Sequence, residues 1–155
     1  MGSILFVCHG NICRSPMAEA IFRDLLHQHN LSKKVQIDSA GIGNWHEGNP
    51  PHQGTCKVLS SRKIPYENIV ARQVTKEDLK NFDLIIVMDS RNHKAIKELA
   101  GDNDINIQYL TNFITGAEYT DIPDPYYTGD FEKAYELIST GCKGLLKKII
   151  SKEIF

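Results

Sequence analysis

Three observations predict an α/β fold, a central mainly parallel four-stranded twisted sheet with helices on both faces. Short unbroken apolar runs such as Ile4 to Val7 and Leu84 to Met88 have the character of strands buried on both sides. The segments between such runs carry helix-start signals. Strand and helix alternate along the chain, the pattern of crossover units. The 155 residues are enough to bury one hydrophobic core and short for two, so residues 1–155 are expected to form one domain.

Ile4-Leu5-Phe6-Val7 is the first strand, and it delivers the loop Cys8-His-Gly-Asn-Ile-Cys-Arg-Ser15. A helix should follow, because Ser15 suits an N-cap, Pro16 suits a first turn, and Met17, Ile21 and Leu25 recur at one-turn spacing. Val35 to Ala40 reads as a second strand and Gly54 to Ser61 as a helix. Thr75-Lys-Glu-Asp78 has the shape of a capping box, with Asp in place of Glu at its last position. Leu84 to Met88 is the third strand, Asp89 caps a helix through Leu99, and Ile107 to Leu110 is the fourth strand. The last helix starts after Gly129-Asp130, with Ala134, Ile138, Cys142, Leu145 and Ile149 on one face and lysines opposite.

Eighteen Lys plus Arg against nineteen Asp plus Glu imply no polyanion-binding face, so nucleic acid is not an expected partner. The chain opens with no leader-like segment, and no apolar run approaches the thickness of a bilayer, which predicts a soluble, cytoplasmic protein without a membrane segment. Cysteines at 8, 13, 56 and 142 form no C-x-x-C pair and no dense framework, which suits a reducing compartment. The histidines lack metal-ligand spacing, so neither a metal nor another cofactor is expected.

An arbitrary cysteine at a strand end is usually an inert core residue. Cys8 stands in a different context: strand, Cys, five residues, Arg-Ser, helix. In open parallel sheets ligands bind beyond the carboxyl ends of the strands, where this loop lies. Gly10 clears the inside of the turn and Asn11 tolerates a left-handed conformation, so backbone N–H groups can converge on an anion. Those dipoles, the helix N-terminus and Arg14 all favour an ionised sulfur, and Cys8 is expected as a thiolate nucleophile. Arg14 can hold two equatorial oxygens of a phosphoryl group with its planar fork, and Ser15 can donate its hydroxyl to the sulfur. The Gly-Lys-Ser/Thr ending of a nucleotide-binding loop is absent. Expelling an alkoxide or phenolate also needs an acid. Asp124, between Pro123 and Pro125, is the natural source, with Asp121 and Asp89 as rivals.

Val7-Cys-His-Gly-Asn-Ile-Cys-Arg-Ser-Pro16 resembles the signature of the low-molecular-weight protein tyrosine phosphatases. The resemblance continues through Asp38-Ser-Ala-Gly41, Gly48-Asn-Pro-Pro51, Ala71-Arg-Gln-Val-Thr75, Met88-Asp89 with Asn92, and Asp124-Pro-Tyr-Tyr127. It implies hydrolysis of phosphotyrosine in proteins through a cysteinyl phosphate, without cofactor, by Cys8, Arg14 and Asp124. His9, Gly10, Asn11, Ile12, Cys13 and Ser15 would complete the phosphate-binding loop, which also takes inorganic phosphate or other oxyanions. Asn11 and Ser39 would brace that loop, Trp45 and Tyr126 would wall the pocket, and Tyr127, His46 and Asn49 would stand at its rim. Cys13 would trap oxidised Cys8 as a disulfide, and a monomer is expected. The chain departs from the family with His9, where leucine is frequent, and with Ile69 and Val70, where some members have a histidine. The same fold serves bacterial arginine phosphatases, which typically have threonine before the second loop cysteine, where this chain has Ile12. A non-catalytic phosphotyrosine-binding module is a further alternative, although Cys8, Arg14 and Asp124 are all retained.

Overall fold

A computed structural model describes residues 1–155. Four strands, β1 (Gly2–Cys8), β2 (Val35–Gly41), β3 (Leu84–Val87) and β4 (Ile107–Tyr109), form one sheet in the order β2-β1-β3-β4. Every pairing is parallel, with Cys8 level with Gly41 and Val7 level with Val87. The chain steps from β1 to β2 on one side and then to β3 on the other, so the strand order reverses at the carboxyl end of β1. That reversal opens the crevice in which open α/β sheets bind ligands.

Six helices accompany the sheet: α1 (Arg14–Gln28), α2 (Gln53–Ser61), α3 (Lys76–Asn81), α4 (Ser90–Ala100), α5 (Pro125–Thr128) and α6 (Phe131–Ile150). The apolar runs bury both faces because alternate side chains leave on opposite sides. Ile4, Phe6, Leu84 and Ile86 join Met17, Ile21 and Phe22 of α1 and Ile138, Cys142 and Leu145 of α6 in one core. Leu5, Val7, Ile85 and Val87 meet Leu79 of α3 and Ile96 of α4 in the other.

The helix signals at Thr75 and Asp89 act as read. Thr75 and Asp78 form a reciprocal capping box, and the Asp89 side chain accepts from the Asn92 N–H at 2.8 Å. Two expectations are corrected. Ser15 is not an N-cap, because α1 already begins at Arg14 and its cap position, Cys13, makes no side-chain cap bond. The Ser15 hydroxyl is engaged with Cys8 instead. Leu110 does not extend β4, since Leu110–Phe113 winds into a 3₁₀ turn against α6.

That turn explains two glycines whose significance the helical pattern hides. A Cβ on Gly141 would stand 2.7 Å from Leu110 Cγ, and one on Gly144 would run into the Phe113 carbonyl oxygen. Alanine in a helix interior is normally favoured over glycine by about 1 kcal/mol, but overpacking costs typically about 1–3 kcal/mol. Gly144→Ala is therefore expected to destabilise by roughly 1–2 kcal/mol and to lower Tm by about 5 °C, read by thermal unfolding. An unchanged or raised Tm would contradict the close approach of α6 to the turn.

Candidate active site

Residues 8–15 wrap the carboxyl end of β1, and their carbonyls turn outward to partners elsewhere. Ile42 N–H donates to the Cys8 carbonyl at 3.0 Å, Gly43 N–H to His9 at 3.2 Å and His52 N–H to Ile12 at 2.7 Å. The Thr55 hydroxyl donates to the Cys13 carbonyl at 3.2 Å. Asn11 takes a left-handed conformation at φ 58°, which Asn adopts at little cost and which lets the turn close. With the carbonyls drawn out, none of the N–H groups from His9 through Ser15 donates to a protein acceptor. A loop with its donors unspent is an anion cradle.

A chain of side-chain bonds holds the cradle in shape. Asn11 Nδ2 donates to Ser15 Oγ at 2.7 Å and to Ser39 Oγ at 3.0 Å, while its Oδ1 accepts the Arg72 N–H at 3.0 Å. Ser15 Oγ lies 3.0 Å from Cys8 Sγ. Ser39 in turn donates to Glu19 Oε1 at 2.6 Å, so a buried carboxyl terminates the chain. The sequence reading singled out Asn11 and Ser39 but missed Glu19; its spacing on the buried face of α1 was the available signal.

Arg14 is 1% exposed. Its Nη1 donates to Asp89 Oδ2 at 2.6 Å and to the Ile122 carbonyl at 2.9 Å, and its Nη2 to Asp124 Oδ2 at 3.2 Å. Arg14 Nε is the only buried side-chain nitrogen or oxygen without a partner. Burial alone would lower the Arg14 pKa, but the charges of Cys8, Asp124 and Asp89 outweigh it and hold the guanidinium above its ordinary value. Of the three carboxylates considered as acid, Asp121 is bound through both oxygens to the N–H and hydroxyl of Ser90 at 2.9 and 3.1 Å. Asp89 is committed to Arg14 and to the cap of α4. Asp124 caps α5 through Oδ1 and borders the cavity over Cys8.

That cavity, of about 400 Å³, is lined by Cys8, the loop, Trp45, His46, Tyr126 and Tyr127. The His9 ring stacks on Trp45 with centroids 4.4 Å apart, and Tyr126 stands 5.9 Å from His46 and 5.2 Å from Tyr127. Asn49 is not among the lining residues. It is exposed on the turn that follows His46, where its N–H donates to the His46 carbonyl at 2.9 Å, its carbonyl accepts the Ala71 N–H at 2.9 Å, and Gly48 N–H donates to the Ala71 carbonyl at 2.9 Å. Burial pushes the Cys13 thiol up to about 12, with the charges of Cys8 and Asp124 adding to the effect, so Cys13 stays protonated within the same cavity.

Burial also pushes the Glu19 carboxyl from 4.5 to about 7, against the opposing Ser39 bond. The folded chain then holds this proton more tightly than the unfolded chain does, so stability falls as pH rises from the ordinary carboxylate range through 7. Between pH 5 and pH 8 the parent is expected to lose on the order of 2 kcal/mol more than Glu19→Gln, measured by urea unfolding. Parallel pH dependences in the two proteins would contradict an unpaired, buried Glu19.

Residues 3–154 match the sequence model of the low molecular weight phosphotyrosine protein phosphatases. The low molecular weight protein-tyrosine-phosphatase YfkJ of Bacillus subtilis is 51% identical over 150 residues, covering 96% of each chain. The crystal structure of YfkJ superposes with a TM-score of 0.96 at 50% identity, covering 99% of this chain and 98% of that one. A Drosophila arginine phosphatase superposes with a TM-score of 0.88 at 33% identity, covering 96% of this chain and 98% of its own. The whole-chain match in sequence, and the match in fold around the cysteine loop, place this chain in the low molecular weight phosphotyrosine protein phosphatase family.

Proposed function

We propose that Cys8, Arg14 and Asp124 hydrolyse phosphotyrosine monoesters in two steps on a cradle formed by residues 8–15. The observation that carries this reading is the set of unspent donors around Cys8, from the N–H groups of His9 through Ser15 to the orphaned Nε of Arg14. Three equatorial phosphoryl oxygens supply acceptors for such a set. Asp89 and the Ile122 carbonyl hold Nη1, which leaves the Nε edge of the guanidinium for substrate.

In the first step Cys8 Sγ attacks phosphorus as the bond to the tyrosyl oxygen breaks, and the Asp124 carboxyl gives its proton to that oxygen. In the second step water attacks the cysteinyl phosphate, Asp124 takes the proton, and the S–P bond breaks to release phosphate. The Ser15 hydroxyl, 3.0 Å from the sulfur, stabilises the departing thiolate. The donors are prearranged, so the transition state gains them without reorganisation.

Trp45, Tyr126 and Tyr127 give the cavity aromatic walls that suit a phenyl ring. The resemblance to an arginine phosphatase favours phosphoarginine as the second reading. Four free cysteines suit a reducing, cytoplasmic setting, and no helix is long and apolar enough to cross a membrane. One chain supplies every member of the site, which fits action as a monomer.

Phosphate release from matched phosphotyrosyl, phosphoseryl and phosphoarginyl peptides tests the substrate class, with Cys8→Ser expected to be inert. Preferred turnover of phosphoarginine would overturn the assigned pocket specificity. Asp124→Ala should lower kcat by about 10²–10⁴ on phenyl phosphates with poor leaving groups and far less on those with good ones. An equal effect on both series would remove Asp124 from the acid role. Peroxide inactivation should be reversed by added thiol in the parent, whereas Cys13→Ser should lose most of that recovery. Full recovery in the variant would end the redox role of Cys13.

A further inference from the structure

A second groove, of about 260 Å³, adjoins the catalytic cavity and shares His9, Asp124 and Tyr127 with it. Three carboxylates border it, yet each is already engaged. Asp89 and Asp124 pair with Arg14, and Asp121 accepts from the backbone and hydroxyl of Ser90.

Two donor side chains that α4 brings to the same groove, Arg91 and Asn92, have unengaged N–H groups. Asn92 is 1% exposed, and its Oδ1 accepts the Met88 N–H at 3.2 Å, which fixes the orientation of its amide. Its Nδ2 donates to no protein acceptor, and the side chain lines the groove. Arg91, one residue earlier on α4, is exposed and forms neither an ion pair nor a hydrogen bond. An unpartnered amide N–H₂ and a free guanidinium bordering one small groove call for an anionic acceptor with two oxygens.

We propose that this groove is a substrate subsite, in which Arg91 and Asn92 receive the carboxylate of an acidic residue flanking the phosphotyrosine. The assignment rests on the catalytic reading above, since it is the tyrosyl ring in the first cavity that brings a flanking side chain to the second. His9, whose ring is stacked on Trp45, forms a wall common to both cavities. The selectivity comes from charge at the rim, so it acts on KM rather than on the chemical step.

The test uses the full chain and phosphotyrosyl peptides that differ only in carrying alanine, glutamate or lysine at one of the two positions on either side. At one of these positions glutamate is expected to raise kcat/KM about three- to fivefold over alanine, the scale of an exposed ion pair. The readout is a ratio between peptides on one enzyme, so a general change of activity in a variant cancels. Arg91→Glu should invert the ratio in favour of lysine, and Asn92→Asp, which keeps an acceptor for the Met88 N–H but loses the donor, should abolish the preference for glutamate. Equal ratios in the parent and Arg91→Glu, or a parent preference for lysine, would overturn the subsite. Failure of the parent to hydrolyse any phosphotyrosyl peptide would instead overturn the catalytic reading beneath it.

Discussion

The N–H groups from His9 to Ser15 and the Nε of Arg14 are donors of one loop at the carboxyl end of β1, without protein acceptors. An unsatisfied buried donor costs about 1–3 kcal/mol, so this loop would relax if the surrounding structure let it. The rest of the molecule is arranged to prevent that. Its carbonyls are bound by Ile42, Gly43, His52 and Thr55, and Asn11 is fixed on three sides by Ser15, Ser39 and Arg72. Strain concentrated in a loop that a rigid scaffold over-determines is what a preorganised binding site requires.

Arg14 links this cradle to the opposite wall of the site. A guanidinium 1% exposed would not be tolerated without counter-charges, and Asp89 and Asp124 supply them from two separate segments. Asp89 is held by its place at the start of α4, and the segment before Asp124 is anchored where Ile122 N–H reaches the Met88 carbonyl at 2.9 Å. The end of β3 therefore sets the positions of both carboxylates. The same construction leaves Asn92 and Arg91 beside the catalytic cavity, so the residues that hold the arginine also shape the ground next to it.

Much of this was legible in the chain. Ile4 to Val7 and Leu84 to Met88 have the unbroken apolar character that only two-sided burial explains, and the box at Thr75 and the cap at Asp89 are local devices. The loop reads as a phosphate cradle because Gly10, Asn11 and Arg14 have conformational and chemical properties that need no tertiary partner to recognise. Where the reading erred, the cause was a partner distant in sequence. Ser15 looks like a cap until Cys8 engages its hydroxyl, and Leu110 looks like the end of a strand until it turns against α6.

By itself, then, the sequence determined the alternation of strand and helix, the place of the loop at a strand end, and the thiol, guanidinium and carboxyl groups available to the proposed chemistry, because these follow from local periodicity and residue type. Only the tertiary structure decided which two carboxylates hold Arg14, that Glu19 ends the hydrogen-bond chain from Cys8, and that Gly141 and Gly144 admit the turn at Leu110. Those contacts join residues far apart in the chain, such as 14 with 89 and 122, and their distances are set by packing two cores against one twisted sheet.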